Sequence, residues 1–114
     1  VAYSVVECAS RLKCVAIVTP TISGYTAKKI SRFRPSSPII ALTPDVLTAR
    51  ILNLYYGIYP VLVDEIKTFN MMLKLSKNSV SKYMNVLPGD KIIITGGYPF
   101  KEVKHTNFMK IEEL

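Results

Sequence analysis

A short segment after the first apolar run combines three aliphatic hydroxyls with a glycine, reading Thr21-Ile22-Ser23-Gly24-Tyr25-Thr26. It opens a helical pattern, and the free N–H groups at the start of a helix attract anions. The glycine lets the backbone approach a ligand closely, while the hydroxyls of Thr21, Ser23 and Thr26 suit phosphate oxygens. The same pattern suits an ordinary capped helix, because Ser and Thr are common N-caps. Both interpretations stay open at this level.

A second glycine-containing segment, Thr95-Gly96-Gly97-Tyr98-Pro99, follows a later apolar run. We predict that Gly97 and Tyr98 close over the same ligand, with an ordinary surface connection as the alternative. Neither GxxxxGK[ST] nor GxGxxG occurs in the chain. The motifs therefore give no support to an ATP-binding P-loop or a dinucleotide fold.

Residues for catalysis or metal binding are not found in a recognisable arrangement. His105 is the single histidine, and Cys8 and Cys14 form no CxxC pair. A structural zinc site needs about four nitrogen or sulfur ligands. We predict no catalytic residue, no metal ligand and no cofactor in this chain. A core-forming chain with two cysteines and no visible signal peptide favours reduced thiols in a cytoplasmic protein.

The charge balance favours anionic partners, since 15 Lys and Arg stand against 8 Asp and Glu, a net charge of +7. The basic residues are scattered, however, and no run of five occurs. Solvated helix faces are therefore favoured over a nucleic-acid surface. No apolar stretch is long enough to cross a bilayer. We expect neither nucleic acid nor membrane as a partner.

The 114 residues predict a single domain, 1–114, because 49% of them are hydrophobic and only 20% are charged. Short apolar runs at 15–18, 38–42, 59–63 and 92–94 suit strands, and helical patterns lie before and between them. Continuous apolar strands alternating with helices favour a parallel sheet covered on both faces. The run at 108–111 follows 92–94 without a helical pattern, so we expect antiparallel pairing. The prediction is an α/β fold, a three-layer α/β/α sandwich with about five strands, mostly parallel, and an antiparallel last strand.

Several segments, taken in order, resemble the C-terminal domain of pyruvate kinase, in its bacterial form. They are Ala16-Ile17-Val18-Thr19-Pro20-Thr21-Ile22-Ser23-Gly24-Tyr25-Thr26-Ala27, Ser31-Arg32-Phe33-Arg34-Pro35, Pro38-Ile39-Ile40-Ala41-Leu42-Thr43, Thr48-Ala49-Arg50, Gly57-Ile58-Tyr59-Pro60-Val61, Pro88-Gly89-Asp90, Thr95-Gly96 and Thr106-Asn107. The match covers nearly the whole chain, with only the helical region 64–84 loose. An ordered series of this kind is far more specific than any one motif.

The resemblance implies a regulatory domain that binds a phosphorylated effector, commonly a sugar phosphate or nucleotide monophosphate. In that family the loop corresponding to residues 21–26 holds the phosphate. Thr21, Ser23 and Thr26 would bind through hydroxyls, and Ile22, Gly24 and Tyr25 through backbone N–H groups. Where many members carry an arginine for a second phosphate, this chain has Met71-Met72-Leu73-Lys74, so Lys74 is the nearest cation. One phosphate is expected here, and whether a bisphosphate also binds stays open at this level.

The resemblance also implies a parent enzyme that transfers phosphate from phosphoenolpyruvate to ADP. Its catalytic β/α barrel, with Mg²⁺ and a monovalent cation such as K⁺, is absent from these residues, so this chain is predicted inactive alone. We expect the barrel domain as a partner and a homotetramer, with residues 69–83 and the last strand as candidate subunit contacts. Val1 in place of Met favours a processed product or a fragment. The alternatives are a free-standing phosphate-binding regulatory module, a basic nucleic-acid binder and a small enzyme.

Overall fold

Helices and strands alternate along most of the chain in the computed structural model, which describes residues 1–97 and 108–114. The helices are α1 (Ala2–Arg11), α2 (Tyr25–Ser31), α3 (Val46–Leu52) and α4 (Phe69–Tyr83), and the strands are β1 (Ala16–Pro20), β2 (Ile39–Thr43), β3 (Ile58–Leu62), β4 (Lys91–Gly96) and β5 (Phe108–Glu113). A helix lies between each pair of consecutive strands up to β4. Such connections are long enough to return the chain for parallel pairing.

The five strands form one mixed sheet in the order β3-β2-β1-β4-β5. The first four in this order are parallel, and β5 pairs antiparallel with β4, with Gly96 opposite Phe108. The predicted α/β fold and the antiparallel last strand are therefore confirmed. The chain winds from β1 outward to β3, then returns past β1 to form β4. The direction of winding thus reverses between β1 and β4.

Helices cover both faces of the sheet, because the central strands are apolar on both sides. All five residues of β1 are buried. Ile17 packs in a core cluster with residues of α1 and α2, together with Leu52 of α3. Val18 points to the other face and packs in a cluster with Met72 and Val80 of α4. The first cluster lies between the sheet and helices α1, α2 and α3, and the second lies between the sheet and α4. The fold therefore has three layers.

Helix α3 buries a different side from the one its sequence pattern indicates. The pattern places Leu47, Ile51 and Leu54 on one face, yet these three side chains are all exposed. Ala49 and Leu52 are the residues of α3 that contact the core. Three large apolar residues of this segment therefore lie on the surface, and Leu52 is buried.

Two helices also end earlier than their sequence patterns predict. A helical pattern continues through Ile30 and Phe33 until Pro35, and Gly57 is placed to cap the helix that follows residues 38–42. α3 ends at Leu52, and Gly57, expected as its cap, instead adopts a φ of +69° in the turn before β3. α2 ends at Ser31, which leaves Phe33 outside the helix and exposed. The Phe33 ring contacts that of Tyr3, with centroids 5.7 Å apart, so contact with α1 replaces the expected burial in the core.

Candidate functional site

The segment of residues 21–26 lies at the carboxyl edge of the sheet, immediately after β1. The neighbouring strand β4 ends at Gly96, beside the end of β1. A Cβ built on Gly96 would lie 3.3 Å from the carbonyl oxygen of Pro20, which shows how closely the two strand ends approach. Ligands of open α/β sheets bind at this edge, where the winding direction reverses. We call residues 21–26 the hydroxyl loop.

Three contacts with other elements hold the hydroxyl loop in place. The Thr21 N–H donates to the carbonyl of Leu42, at the end of β2, over 2.9 Å. The Thr48 hydroxyl on α3 donates to the carbonyl of Ile22 over 2.7 Å. The carbonyl of Gly24 accepts from the N–H of Lys28 over 3.0 Å, which begins α2. The loop is thus built jointly by β2, α3 and α2.

Gly24 is required by its backbone conformation and by the proximity of α3. Its φ of +84° lies in the left-handed region that favours glycine. A Cβ at this position would lie 3.0 Å from Leu52 Cδ2 and 3.4 Å from Thr48 Cγ2. The glycine therefore permits close packing of the loop on α3.

Hydroxyl groups within the loop already cap the start of α2. The Thr21 Oγ1 accepts from the Gly24 N–H over 2.7 Å, and the Ser23 Oγ accepts from the Tyr25 N–H over 3.3 Å. Two of the backbone donors assigned to a phosphate are therefore engaged within the loop. The longer bond, to Ser23, is the weaker of the two and the easier for an incoming anion to replace.

The loop presents one backbone donor that the sequence did not reveal. A trans peptide places the carbonyl of one residue antiparallel to the N–H of the next. Since the Ile22 carbonyl points to Thr48, the N–H of Ser23 points away from α3. Among the described residues none accepts a hydrogen bond from this N–H. Neither the role of Thr48 nor the direction of the Ser23 N–H could be predicted from the sequence. Thr48 lies 26 residues from Ile22, and no local pattern indicates their contact.

The predicted hydroxyl donors differ in their exposure. Ser23 is exposed and Thr21 is half-buried, whereas Thr26 is 6% exposed. Ser23 and Thr21 are therefore the hydroxyls at the surface of the loop. Thr26 faces the interior, at the start of α2.

Three further residues, Gly97, Tyr98 and Lys74, are predicted to contact the effector. Gly97 follows the end of β4 and is half-buried beside the strand end that meets β1. Tyr98 lies outside the described residues. Lys74 is exposed on α4, on the face of the sheet opposite α2 and α3. The structure records no contact between Lys74 and the hydroxyl loop among the residues described.

Positive charge lies beside the loop on α2. The Lys29 Nζ is 5.0 Å from the centroid of the Tyr25 ring, and the Lys28 Nζ is 5.5 Å from that of Tyr55. Cations at such distances over aromatic faces are attracted to the ring quadrupole. Both lysines belong to the last turn of α2, and the Tyr25 ring brings the Lys29 ammonium beside the hydroxyl loop.

The cysteines show the character of structural thiols. Both are free, and burial raises the pKa of the Cys14 thiol above its usual value, although the charge of Lys91 opposes this. A raised pKa keeps the thiol protonated and unreactive. Within residues 1–97 and 108–114, no three His, Cys, Asp or Glu side chains lie close enough to hold a metal ion. No helix in the same ranges is long and apolar enough to cross a membrane.

Comparison with known proteins gives a consistent result over almost the whole chain. The profile of the pyruvate kinase alpha/beta domain matches residues 1–112. A pyruvate kinase of Sporosarcina psychrophila is 40% identical over 103 residues, which is 90% of this chain and 18% of that protein. One of Staphylococcus saprophyticus is 44% identical over 108 residues, 95% of this chain and 18% of that protein. One of Agrobacterium vitis is 34% identical over all 114 residues, 24% of that protein. The chain thus spans about a fifth of the length of these curated relatives.

Proposed function

The chain belongs to the pyruvate kinase alpha/beta domain family, and from this premise we propose that it binds a phosphorylated effector and regulates a parent pyruvate kinase. The observation that carries the proposal is the position of the hydroxyl loop, at the sheet edge where the winding reverses. Such an edge is the usual ligand site of open α/β sheets. The outward N–H of Ser23 supplies a donor there that no described residue uses.

The phosphate group of the effector binds to the loop through the Ser23 N–H and the hydroxyls of Ser23 and Thr21. Thr21 Oγ1 accepts from Gly24, so its own proton is still available for a phosphate oxygen. A phosphate oxygen also replaces Ser23 Oγ as the acceptor for the Tyr25 N–H, since that bond is 3.3 Å long. Lys29, held over the Tyr25 ring, adds favourable charge.

The effector carries one phosphate rather than two, as a sugar monophosphate or a nucleotide monophosphate. The resemblance assigns the second phosphate of a bisphosphate to an arginine in the helix before Pro88-Gly89-Asp90, and this chain has no arginine there. Lys74, the nearest cation expected for that role, lies on α4 on the opposite face. The missing arginine supports a monophosphate as the effector.

The parent enzyme transfers phosphate from phosphoenolpyruvate to ADP on a barrel domain outside this chain, in the cytoplasm and as a homotetramer. The described residues hold no group of three His, Cys, Asp or Glu side chains suited to a metal ion. We assign the Mg²⁺ and K⁺ of the parent to its catalytic barrel, outside this chain. The effector acts by binding one conformation of the tetramer more tightly than another.

Calorimetric titration of this chain tests the proposal. The ligands are ribose 5-phosphate, glucose 6-phosphate, AMP and fructose 1,6-bisphosphate, compared at one moderate salt concentration. We expect saturable binding of a monophosphate, weakened by Ser23→Ala and unaffected by Ser36→Ala, which changes another exposed serine. Absence of binding by every ligand, or equal effects of the two variants, would contradict the assignment of the loop.

A further inference from the structure

A cavity of about 390 Å³ lies between α1 and α2, beside the hydroxyl loop. Its volume lies within the range of small-molecule sites. Three aromatic side chains and two cations line it, namely Tyr3, Tyr25, Phe33, Lys29 and Arg32. Aromatic walls with a few polar groups that fix a ligand's orientation are typical of such sites. We call this cavity the α1–α2 pocket.

Tyr25 belongs both to the hydroxyl loop and to the α1–α2 pocket. Its N–H donates to Ser23 Oγ within the loop, and the same residue lines the pocket. α1 contacts β1 and β4, whereas α3 contacts β2 and β3, so the pocket lies on the side of α2 away from α3. The Ser23 N–H also points away from α3, because the Ile22 carbonyl accepts from Thr48. A ligand whose phosphate binds the loop therefore has the pocket within reach of its other end.

The aromatic walls of the pocket suit a planar ring. The rings of Tyr3 and Phe33 are 5.7 Å apart between centroids and inclined at 60°. These side chains are nevertheless 61% and 48% exposed, so each leaves ring surface uncovered. Stacking of a nucleic-acid base on an aromatic side chain raises affinity by about 5-fold to 150-fold. A sugar has no π face and gains no such stacking.

The charged groups of the pocket are hydrogen-bond donors. The Lys29 Nζ lies 5.0 Å from the centroid of the Tyr25 ring, and Arg32 is exposed at the border of the pocket. Among residues 1–97 and 108–114, no carboxylate pairs with either cation, and no carboxylate or carboxamide side chain lines the pocket. Arginine and lysine recognise the O6 and N7 acceptors of guanine, whereas adenine presents an amino donor in place of O6. The pocket therefore favours a base that presents acceptors.

We propose that the α1–α2 pocket binds the base of the effector, and that the effector is a 6-oxopurine nucleoside monophosphate, of which GMP is the example. Its phosphate binds the hydroxyl loop, and its ribose passes Tyr25. The base stacks on the rings of Tyr3 and Phe33, and its O6 and N7 accept from Arg32 and Lys29. The inference rests on the proposed function, since it needs the phosphate in the loop.

Calorimetric titration of this chain with GMP, AMP and ribose 5-phosphate tests the inference, because ribose 5-phosphate is the same ligand without a base. We expect GMP to bind about tenfold more tightly than ribose 5-phosphate. It should also bind about fivefold more tightly than AMP. If ribose 5-phosphate binds and GMP binds no more tightly than it or than AMP, the inference is wrong and the effector role stands. If none of the three binds, the effector role is refuted as well.

Two variants with matched controls locate the base. Phe33→Leu should bring the affinity for GMP close to that for ribose 5-phosphate, and Tyr83→Leu, at an exposed aromatic residue of α4, should not. Arg32→Gln should abolish the preference for GMP over AMP, and Arg50→Gln, at an exposed arginine of α3, should not.

The affinity for ribose 5-phosphate is the internal reference for both variants, since a correctly folded loop retains it. It should stay unchanged in Phe33→Leu and in Arg32→Gln. Equal losses for GMP and ribose 5-phosphate, or equal effects of a variant and its control, would overturn the assignment of the pocket.

Discussion

At the scale of single residues, the side chains of the hydroxyl loop accept hydrogen bonds from the loop's own backbone. Thr21 and Ser23 accept from the N–H groups of Gly24 and Tyr25, so the loop is capped without a ligand. Capping and phosphate binding, which are alternatives at the level of sequence, use the same atoms. In the proposed binding mode, an anion exchanges the weaker cap for a charge-assisted hydrogen bond, which is about twice as strong.

The first prediction concerns Thr48, which orients the Ile22–Ser23 peptide. Thr48→Val keeps the shape but removes the hydroxyl, so the Ser23 N–H loses its fixed direction. We expect phosphate-ligand affinity to fall about fivefold, corresponding to about 1 kcal/mol for one hydrogen bond. Calorimetric titration measures this, and Thr48→Ser is the control because it keeps the donor. Equal affinities of the Val and Ser variants would show that the bond has no role in binding.

The second prediction compares two glycines with positive φ, Gly24 and Gly57. Gly57→Ala has nothing within 4 Å of the new Cβ, so it costs only the left-handed conformation, about 1–2 kcal/mol. Gly24→Ala also brings the Cβ to 3.0 Å from Leu52, which is fully buried and cannot move freely. We expect about 1–3 kcal/mol more destabilisation for Gly24→Ala. Urea denaturation measures both, and equal losses would refute the packing argument.

At the scale of elements, the Glu112 carboxylate links α4 to β5. Glu112 on β5 accepts from Lys110 on the same strand at 3.0 Å and from Lys77 on α4 at 3.2 Å. The hydrogen bond from Lys110, more than that from Lys77, lowers the pKa of Glu112 below its ordinary value of 4.5. Both lysines are substantially exposed, so solvent weakens the pair and its contribution to stability stays below about 1 kcal/mol.

The third prediction is the pH dependence of this contact. A carboxyl whose pKa is lowered by folding contributes stability above its unfolded pKa and loses it as the pH falls through the folded value. The stability difference between the native chain and Glu112→Gln should therefore be present near pH 7 and shrink below about pH 4.5. Urea denaturation across this range measures it. Glu7→Gln, in an exposed pair with Arg11 on α1, is the control. A difference that grows on acidification would refute the assignment.

Helix α3 shows where reasoning from periodicity fails. Its spacing of Leu47, Ile51 and Leu54 describes an apolar side correctly but does not reveal what that side contacts. The core instead takes Ala49 and Leu52, because a short helix placed closely over β2 and β3 accommodates a small residue beside a leucine. Burial depends on neighbours that are distant in sequence, so the pattern alone misassigned this helix.

At the scale of the whole molecule, the net charge of +7 is distributed over several surfaces. Lys28 and Lys29 lie on α2, whereas Lys74 and Lys77 lie on α4 beneath the other face of the sheet. Among residues 1–97 and 108–114 the basic side chains are spread over different elements, and scattered charges bind polyanions only by general electrostatic attraction. This arrangement favours a small phosphorylated ligand over nucleic acid.

The fourth prediction follows from this distribution. A single-stranded oligonucleotide should bind weakly at about 50 mM salt and lose detectable binding near 200 mM, as expected for contacts with phosphates alone. Binding of a sugar monophosphate to the loop should change much less over the same range, because it uses directed hydrogen bonds. Fluorescence anisotropy and calorimetry measure the two. Oligonucleotide binding that persists at 200 mM salt would favour the nucleic-acid alternative.

Much of this protein is determined by local sequence. Continuous apolar runs such as Ile92-Ile93-Ile94 suit only strands buried on both faces, which fixes the α/β class and the parallel sheet. The absence of a helical pattern before residues 108–111 predicts the antiparallel last strand, and the order of motifs predicts the family. Each of these depends on residues that are close together in the chain, and each is confirmed.

The tertiary structure alone decided how distant residues meet. It placed Thr48 against the Ile22 carbonyl, packed Leu52 on Gly24 and put Lys74 on the face of the sheet opposite α2 and α3. These relations depend on strand order and on how each connecting helix lies over the sheet. Both are set by packing between elements far apart in sequence, and no local pattern encodes such packing. The sequence therefore determines which residues form the hydroxyl loop, whereas the fold determines the direction of the Ser23 N–H.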